Sequence, residues 1–319
     1  MKPHWWLRCV LLFLLMVVAS TIVLHDWHQY TEPALHWHIL INLQLPLVIN
    51  AVLVGATLAI SGGTLQVALR NPLADPGIIG ITSGASLCAA GLLLLPFTLP
   101  LPMQYMLPIG CFTGALLSTW LIFKISKRLR NAASAVILAG IAISTLAGAI
   151  IGWMYLMAEA SAMRNLTFWI MGSLHQADWV LLSVSGPIMA LSIGFQLYYA
   201  RQMNLLYAGE LATAAAGVSP QLLINRCLFI TAIGVGAAVS VSGSIAFIGL
   251  LVPHLMRFIV GHDNQKLLPV TALTGALVLL LVVAISDMAA VISLPVSMVT
   301  ATIGGPMLLA VLYRGRWRV

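Results

Sequence analysis

The segment RNPLADPGIIGITSGASL, residues 70–87, separates two long apolar runs. It contains an arginine, an asparagine, an aspartate, two prolines and three glycines, in a chain that otherwise avoids such residues. Asn71-Pro72 and Asp75-Pro76-Gly77 are typical of a turn that ends one helix and begins another. The small residues that follow favour close packing of the second helix. The segment therefore predicts an elbow between two packed helices, with a structural role.

The composition places those helices in a membrane. Of the 319 residues, 61% are hydrophobic and only 7% are charged, and the mean hydropathy is +1.03. Since soluble domains carry about 25% charged residues, the sequence predicts an all-α polytopic membrane protein. It forms one transmembrane domain over residues 1–319, with about ten spans of about 20 residues each. The predicted spans are residues 5–24, 46–67, 78–97, 105–123, 133–157, 179–200, 222–242, 247–260, 268–286 and 295–313.

The basic residues predict the orientation of these spans. The net charge is +7, with 15 lysines and arginines. With the N-terminus placed inside, every one of them except Arg164 falls on the inner side, as the positive-inside rule requires. We therefore expect both termini to be cytoplasmic. Because the charges lie in short loops between apolar runs, a nucleic-acid partner is not expected.

The sequence carries no signature of an enzyme, since metalloprotease, hydrolase, P-loop and dinucleotide-binding motifs are all missing. His254, beside a span end, is interpreted as structural. Asp287 is the only acid expected near a span, whereas proton-coupled transporters hold ionisable groups near the midplane. Energy is therefore expected to come from another chain. One exterior loop has no helical i, i+4 histidine pair, so an interfacial role is favoured over metal binding. The possible metal ligands in this loop are His25, Asp26, His28, His36 and His38.

The longest inner connection reads NLLYAGELATAAAGVSPQLLINR, residues 204–226. Glu210 follows a glycine, alanines recur at helical spacing, and Gly217 interrupts the pattern. This arrangement predicts a short helix bounded by glycines, which could fit a groove on a partner protein. An ordinary amphipathic loop is the alternative.

Several long segments together resemble one family, the permeases of type II ABC importers for ferric siderophores, haem and vitamin B12. The resemblance covers nearly the whole chain. It is carried by GATLAISGGTLQVALRNPLADPGIIGITSGASL, AGELATAAAGVS, GSIAFIGLLVPHLMRFIVGHDNQKLLP and LPVSMVTATIGGPMLLAVLYRGR. It implies a ten-helix permease domain that pairs with a second permease, identical or homologous, with the pathway between the two.

The resemblance also implies roles for particular residues. The coupling segment, about residues 204–221, should engage a cytoplasmic ATPase dimer through Gly209, Glu210, Ala212 and Gly217. The fifth and tenth predicted spans should lie near the translocation pathway, with Gly140, Ser144, Thr300 and Thr302. An exterior binding protein should deliver the ligand.

The function implied is a non-enzymatic permease subunit in the bacterial inner membrane, surrounded by lipid. It would move a ferric siderophore or related iron chelate by alternating access. The chain itself should bind no cofactor or metal, since ATP and magnesium belong to the ATPase. Haem or vitamin B12 as cargo, an ATPase-independent secondary transporter, and a structural partner subunit remain alternatives.

The chain departs from the family pattern on its exterior side. Family members carry arginines in LRLPR and ADxxAR segments, which can pair with glutamates of the binding protein. Here the corresponding stretches are LQLPL, with Gln44 and Leu47, and SDMAAV, with Val291. Arg164 is the one exterior arginine left and is the candidate docking residue. We hypothesise a less charged docking surface, or a heterodimer whose other subunit keeps the arginines; tolerated drift is the alternative.

Overall fold

A computed structural model describes residues 5–25, 33–95, 101–128, 133–288 and 294–313, and in these ranges all regular structure is helical. A π-helical segment, Leu40–Gln44, joins α2 to α3. The helices are α1 (Trp5–His25), α2 (Pro33–Ile39), α3 (Leu45–Ala68), α4 (Ile81–Leu94), α5 (Met103–Arg128), α6 (Ala133–Met157), α7 (Ala160–Met171), α8 (Trp179–Ala208), α9 (Glu210–Ala215), α10 (Pro220–Ser242), α11 (Ile248–Val260), α12 (Asn264–Met288) and α13 (Val296–Tyr313).

Each of the ten predicted spans coincides with one of these helices, so the all-α polytopic class is confirmed. Among the described residues, seven helices are long and apolar enough to cross a membrane. Three further apolar helices are shorter: Ile81–Leu94, Ile248–Val260 and Val296–Leu309. The exact count of ten and the cytoplasmic position of the termini remain predictions. The short helices α2 and α7 were not predicted from the sequence.

The central helix is α3, which packs against α8, α10, α11 and α12. In two of these helix pairs, glycines allow the two helix backbones to approach each other closely. A Cβ at Gly55 would overlap the backbone of Gly275 in α12, and one at Gly62 would overlap Gly249 in α11. Small residues at these crossings therefore set the helix spacing, as is usual in membrane bundles.

A fully buried polar network joins α3 to α8. Thr64 donates a hydrogen bond to Gln196 Oε1 (2.8 Å), and Gln196 Nε2 donates to the hydroxyls of Ser61 (3.3 Å) and Ser192 (3.1 Å). Such contacts stabilise helix pairs where no water is available to satisfy polar groups.

The elbow, residues 70–80, has the predicted form. The Asn71 side chain accepts a hydrogen bond from Leu73 N (2.9 Å), and that of Asp75 accepts one from Gly77 N (2.9 Å), which closes two tight turns. Helix α4 begins at Ile81 and not at residue 78, because Gly80 has a φ of 92°. A Cβ at Gly84 would overlap Gly114 of α5, so the predicted close packing of this helix is confirmed.

The basic residues of separate helices meet at one end of the bundle, which we call the basic end. Arg8, near the start of α1, donates to the carbonyl oxygen of Gln265 at the start of α12 (3.3 Å). Arg70 of the elbow lies beside Glu210 at the start of α9. These contacts place the elbow, the coupling segment and the start of α12 on one side of the protein.

Candidate functional site

The coupling segment contains a separate six-residue helix, α9, between two glycines. Gly209 (φ 124°) ends α8, and Gly217 (φ 77°) follows α9; both conformations favour glycine. Inside the turn, the backbone N–H and the hydroxyl of Thr213 both donate to the carbonyl oxygen of Gly209 (2.9 and 2.8 Å). Val218 N donates to the carbonyl oxygen of Thr213 (3.1 Å) and turns the chain toward α10. The predicted short helix with glycine boundaries is therefore present.

The outer face of α9 is apolar and exposed. Thr213 is fully buried and anchors the helix, whereas Leu211 is 89% exposed. Glu210, Ala212 and Gly217 are exposed as well. Leu211 was not among the residues predicted from the sequence, although it is the one large apolar side chain in a run of small residues. One exposed leucine is common on protein surfaces, so Leu211 is a candidate contact because it lies on the segment predicted to engage an ATPase.

Arg70 and Glu210 connect the elbow to α9. Their closest nitrogen and oxygen atoms are 3.9 Å apart, and both side chains are largely exposed. Arg70 also has a left-handed φ of 47°, which costs a non-glycine residue about 1–2 kcal/mol. The elbow is predicted to be architectural, and the structure adds this contact with α9.

A polar brace holds the end of α8 against the start of α12. Asn204 Nδ2 donates to Asp263 Oδ1 (2.8 Å), and Asn204 Oδ1 accepts from the backbone and side-chain N–H groups of Asn264 (2.8 and 2.9 Å). Lys266 Nζ lies 3.3 Å from Asp263 Oδ2. Burial on its own raises the pKa of Asp263, but hydrogen bonds from Asn204, Gln265 and Lys266 lower that pKa below its usual value. The carboxylate thus stays charged and keeps the brace closed.

An aromatic contact extends the same brace. The hydroxyl of Tyr207 is 2.9 Å from His262 Nδ1, and the two rings stack with centroids 5.3 Å apart. Burial, and then the charge of Arg257, lower the pKa of His262 below its usual value of 6.5. His262 is therefore mostly neutral at pH 7, which suits a ring that stacks on a tyrosine. Neither residue was identified from the sequence.

The two pathway candidates on α6 contact the elbow region. A Cβ at Gly140 would overlap the backbone of Ile79 in the elbow. The Ser144 hydroxyl accepts a hydrogen bond from Ser83 of α4 (2.8 Å). Both residues therefore pack within the subunit. The exposed face of α6 carries two other small residues, Gly148 and Gly152. A Cβ at either position would meet no described atom within 4 Å.

The two candidates on α13 point in different directions. Thr300 is buried, and its hydroxyl donates to the carbonyl oxygen of Ser297 (3.3 Å). Thr302 is exposed, and its hydroxyl donates to the carbonyl oxygen of Met298 (2.8 Å). Helix α13 packs on α7, α11 and α12, whereas α6 packs on α4 and α5. Within the part of the subunit that the structure describes, α6 and α13 therefore have different main packing partners. A pathway lined by both would bring the exposed face of α6 in one subunit next to that of α13 in the other, and this arrangement stays a prediction.

At the opposite end of the bundle, Arg164 is exposed on α7, where a docking partner could reach it. Gln44 and Leu47 are each only 8% exposed and line a cavity of about 290 Å³. In that cavity, His175 Nε2 is 3.2 Å from Asp287 Oδ1. Positions 44 and 47 are thus largely buried in this subunit and face this cavity, while the hypothesis of a less charged docking surface stays a prediction. Val291 lies outside the described residues.

The exterior histidine group is only partly described. His38 Nδ1 is 3.1 Å from the side-chain amide of Asn42. The described part of the chain holds no group of three or more His, Cys, Asp or Glu side chains arranged for a metal ion. Asp26 and His28 lie outside the described residues, as does the side chain of His25. His254 is buried and packs edge-on against Phe258, in keeping with a structural role.

Comparison with known proteins gives a consistent result. Residues 7–314 match the FecCD transport family. The hemin transport system permease protein HmuU of Yersinia pestis is 41% identical over 292 residues, covering 91% of this chain and 87% of that protein. The Fe(3+) dicitrate transport system permease protein FecD of Escherichia coli is 34% identical, with coverage of 97% and 95%. The cobalamin import system permease protein BtuC of Halobacterium salinarum is 35% identical, with coverage of 92% and 78%.

One solved structure is similar over the whole chain. It is an inward-facing conformation of a metal-chelate type ABC transporter, with a TM-score of 0.88 and 29% sequence identity. The match covers 98% of this chain and all of the other.

Proposed function

The chain belongs to the FecCD transport family, and we propose that it is the permease subunit of a type II ABC importer for an iron chelate in the bacterial inner membrane. The observation that carries this proposal is α9, an exposed helix held rigidly at the basic end. Glycine boundaries, the Thr213 turn and the brace to α12 fix its position. Leu211 and Glu210 would then meet the cytoplasmic ATPase that supplies the energy.

The elbow would carry the motion of α9 to the pathway. Glu210 contacts Arg70, and the elbow that begins at Arg70 reaches α6 where Ile79 packs against Gly140. Because the contact with Ile79 leaves no room for a Cβ at Gly140, movement of the elbow toward α6 would push that helix along with it. ATP-driven movement of α9 would thereby open and close the pathway between two permease subunits. This route is the same whether the second permease is identical or homologous.

The cargo is best described as an iron chelate, with haem the first compound to test. The support is the 41% identity to the hemin permease of Yersinia pestis, together with the iron dicitrate relative. Cobalamin is the second candidate, because another relative bears that name. Selectivity is expected to reside largely in an exterior binding protein, which Arg164 would help to dock.

The assignment is tested by purifying the tagged chain from native membranes in mild detergent. Wild type should retain an ATPase, while Glu210→Arg and Leu211→Ser should release it. Glu159→Arg is the matched control, since Glu159 is an exposed acid that precedes α7 at the opposite end. Retention of the ATPase by all three variants, or its absence from wild type, would refute the proposal.

The cargo is tested separately with cells that depend on this importer. Uptake of labelled haem, of a labelled ferric siderophore and of labelled cobalamin should be compared in the presence and absence of the chain. Loss of haem or siderophore uptake supports the iron-chelate proposal. Loss of cobalamin uptake alone would replace it with the cobalamin alternative.

A further inference from the structure

Two cavities lie end to end along α8 and α10, and α5 forms a further wall of one of them. The one toward the basic end, which we call the basic-end groove, has a volume of about 550 Å³. The other has a volume of about 260 Å³, and Ile188 borders both. Apart from Ser192, whose hydroxyl donates to the carbonyl oxygen of Ile230, the wall of the basic-end groove is aliphatic and aromatic until Arg226 at its open end. The wall also contains Leu191, Phe195, Tyr199, Phe229 and Ile233.

The basic-end groove is about as long, measured along α8, as one bilayer leaflet is thick. Helix α8 begins at Trp179, whose indole N–H donates to the carbonyl oxygen of Ile41 (2.8 Å) at the opposite end of the bundle. Twenty residues later, after about 30 Å of helix, comes Tyr199. The rise from Trp179 to Tyr199 is about the thickness of the hydrocarbon core. Ile188 therefore lies near the midplane, and Tyr199 lies where the leaflet on the basic side meets its headgroups.

Among the residues that the structure describes, Arg226 is the only cationic side chain that borders this groove. It is exposed, and within the described part of the chain it makes no ion pair or hydrogen bond. Glu210, the acid of the coupling segment, faces Arg70 instead. A guanidinium is well suited to phosphate oxygens, which it can bind with two parallel hydrogen bonds. The groove thus offers an apolar channel one leaflet deep, with a single phosphate-binding cation at its mouth.

We propose that the basic-end groove binds one anionic phospholipid of the cytoplasmic leaflet. The lipid phosphate contacts Arg226, beside the ring of Tyr199. An acyl chain runs between Phe195 and Phe229 toward Ile233 near the midplane. The apolar wall would accept the chain of any lipid, so Arg226 supplies the preference for a negatively charged headgroup.

The proposal is tested by native mass spectrometry of the full chain, released from micelles that hold equal amounts of phosphatidylglycerol and phosphatidylcholine. Wild type should retain one phosphatidylglycerol in preference. Arg226→Gln should lower that retention roughly fivefold, the effect expected of one basic residue at a membrane surface. Arg201→Gln is the matched control, because Arg201 is an exposed arginine near the same end of α8 that does not border the groove. Arg226→Lys should restore part of the retention and shows that the variant site still folds.

A second variant tests the apolar part. Ile233→Trp fills the midplane end of the groove and should also lower retention of phosphatidylglycerol, with Arg226 in place. Equal losses from Arg226→Gln and Arg201→Gln would mean diffuse surface attraction and would overturn the proposal. Equal retention of the two lipids by wild type would overturn it as well. So would a disulfide between two copies of Ile233→Cys, since another subunit would then cover the groove.

Discussion

Arg70 Nη1 lies 3.9 Å from Glu210 Oε1, so two segments 140 positions apart in sequence meet at the basic end of the bundle. The side chains are 45% and 63% exposed, and an exposed pair of this kind contributes at most about 1 kcal/mol to stability. Arg70 also keeps a left-handed backbone that asparagine or glycine would adopt at lower cost. Stability therefore does not explain an arginine here, whereas the inner-side charge that the positive-inside rule favours and the contact with the coupling helix both fit one.

Arg70→Asn should separate the effect of Arg70 on stability from its contact with the coupling helix. Because asparagine tolerates the left-handed conformation, the free energy of unfolding should stay the same or rise by up to about 1 kcal/mol. Substrate moved per ATP hydrolysed should fall by a factor corresponding to about 0.5–2 kcal/mol, the range for residues on a coupling route. Both quantities can be measured on the reconstituted importer, with Arg201→Gln as control. Unchanged transport per ATP would remove Arg70 from the route.

The helical class was predictable because its signal is local. Apolar runs, charge asymmetry and the turn residues of Asn71-Pro72 and Asp75-Pro76-Gly77 each act within one loop or span. Gly209 and Gly217 could be identified for the same reason, since each marks a helix boundary in its own neighbourhood. The helices, the elbow turns and the two glycine boundaries appear in the structure, with α4 beginning three residues later than expected, while the orientation inferred from the charges stays a prediction.

The contacts between distant segments were not predictable from the sequence. The burial of Gln44 and Leu47, the His175–Asp287 pair and the Tyr207–His262 stack depend on how separate helices are arranged. Residues of these pairs are 112 and 55 positions apart, and no local pattern marks them as partners. Exterior position along the chain also does not reveal whether a side chain faces solvent or a neighbouring helix.

Gly217→Ala should destabilise the coupling segment without any steric clash. Its φ of 77° is unfavourable for alanine by about 1–2 kcal/mol, although an added Cβ would meet no described atom within 4 Å. Gly194→Ala, in the middle of α8 and equally open, should instead be neutral or stabilise by about 0.5–1 kcal/mol. Thermal unfolding of the two variants in detergent measures the difference. The same response from both would mean that backbone conformation at Gly217 is unimportant.

The brace at His262 should weaken in acid. Its folded-state pKa lies below the usual 6.5, because burial and the charge of Arg257 disfavour the protonated ring. A lowered pKa contributes stability that is fully present above pH 6.5 and is lost as the pH falls through the folded-state value. His262→Asn cannot titrate in this range, so the advantage of wild type over this variant should shrink between pH 7.5 and pH 5.5. Melting temperatures at the two pH values give the comparison, and a constant difference would exclude this linkage.

Gly148→Trp tests whether α6 lines the pathway. Gly148 is exposed on α6, and a Cβ there would meet no described atom within 4 Å, so the subunit itself can accommodate the indole. If the exposed face of α6 borders a channel between two permeases, the added ring should abolish uptake while the ATPase still co-purifies. Gly194→Trp places the same ring on an equally open position of α8 and should leave uptake intact. Normal uptake by Gly148→Trp would move the pathway away from α6, whereas loss of uptake in both variants would point to a general effect of the bulky side chain.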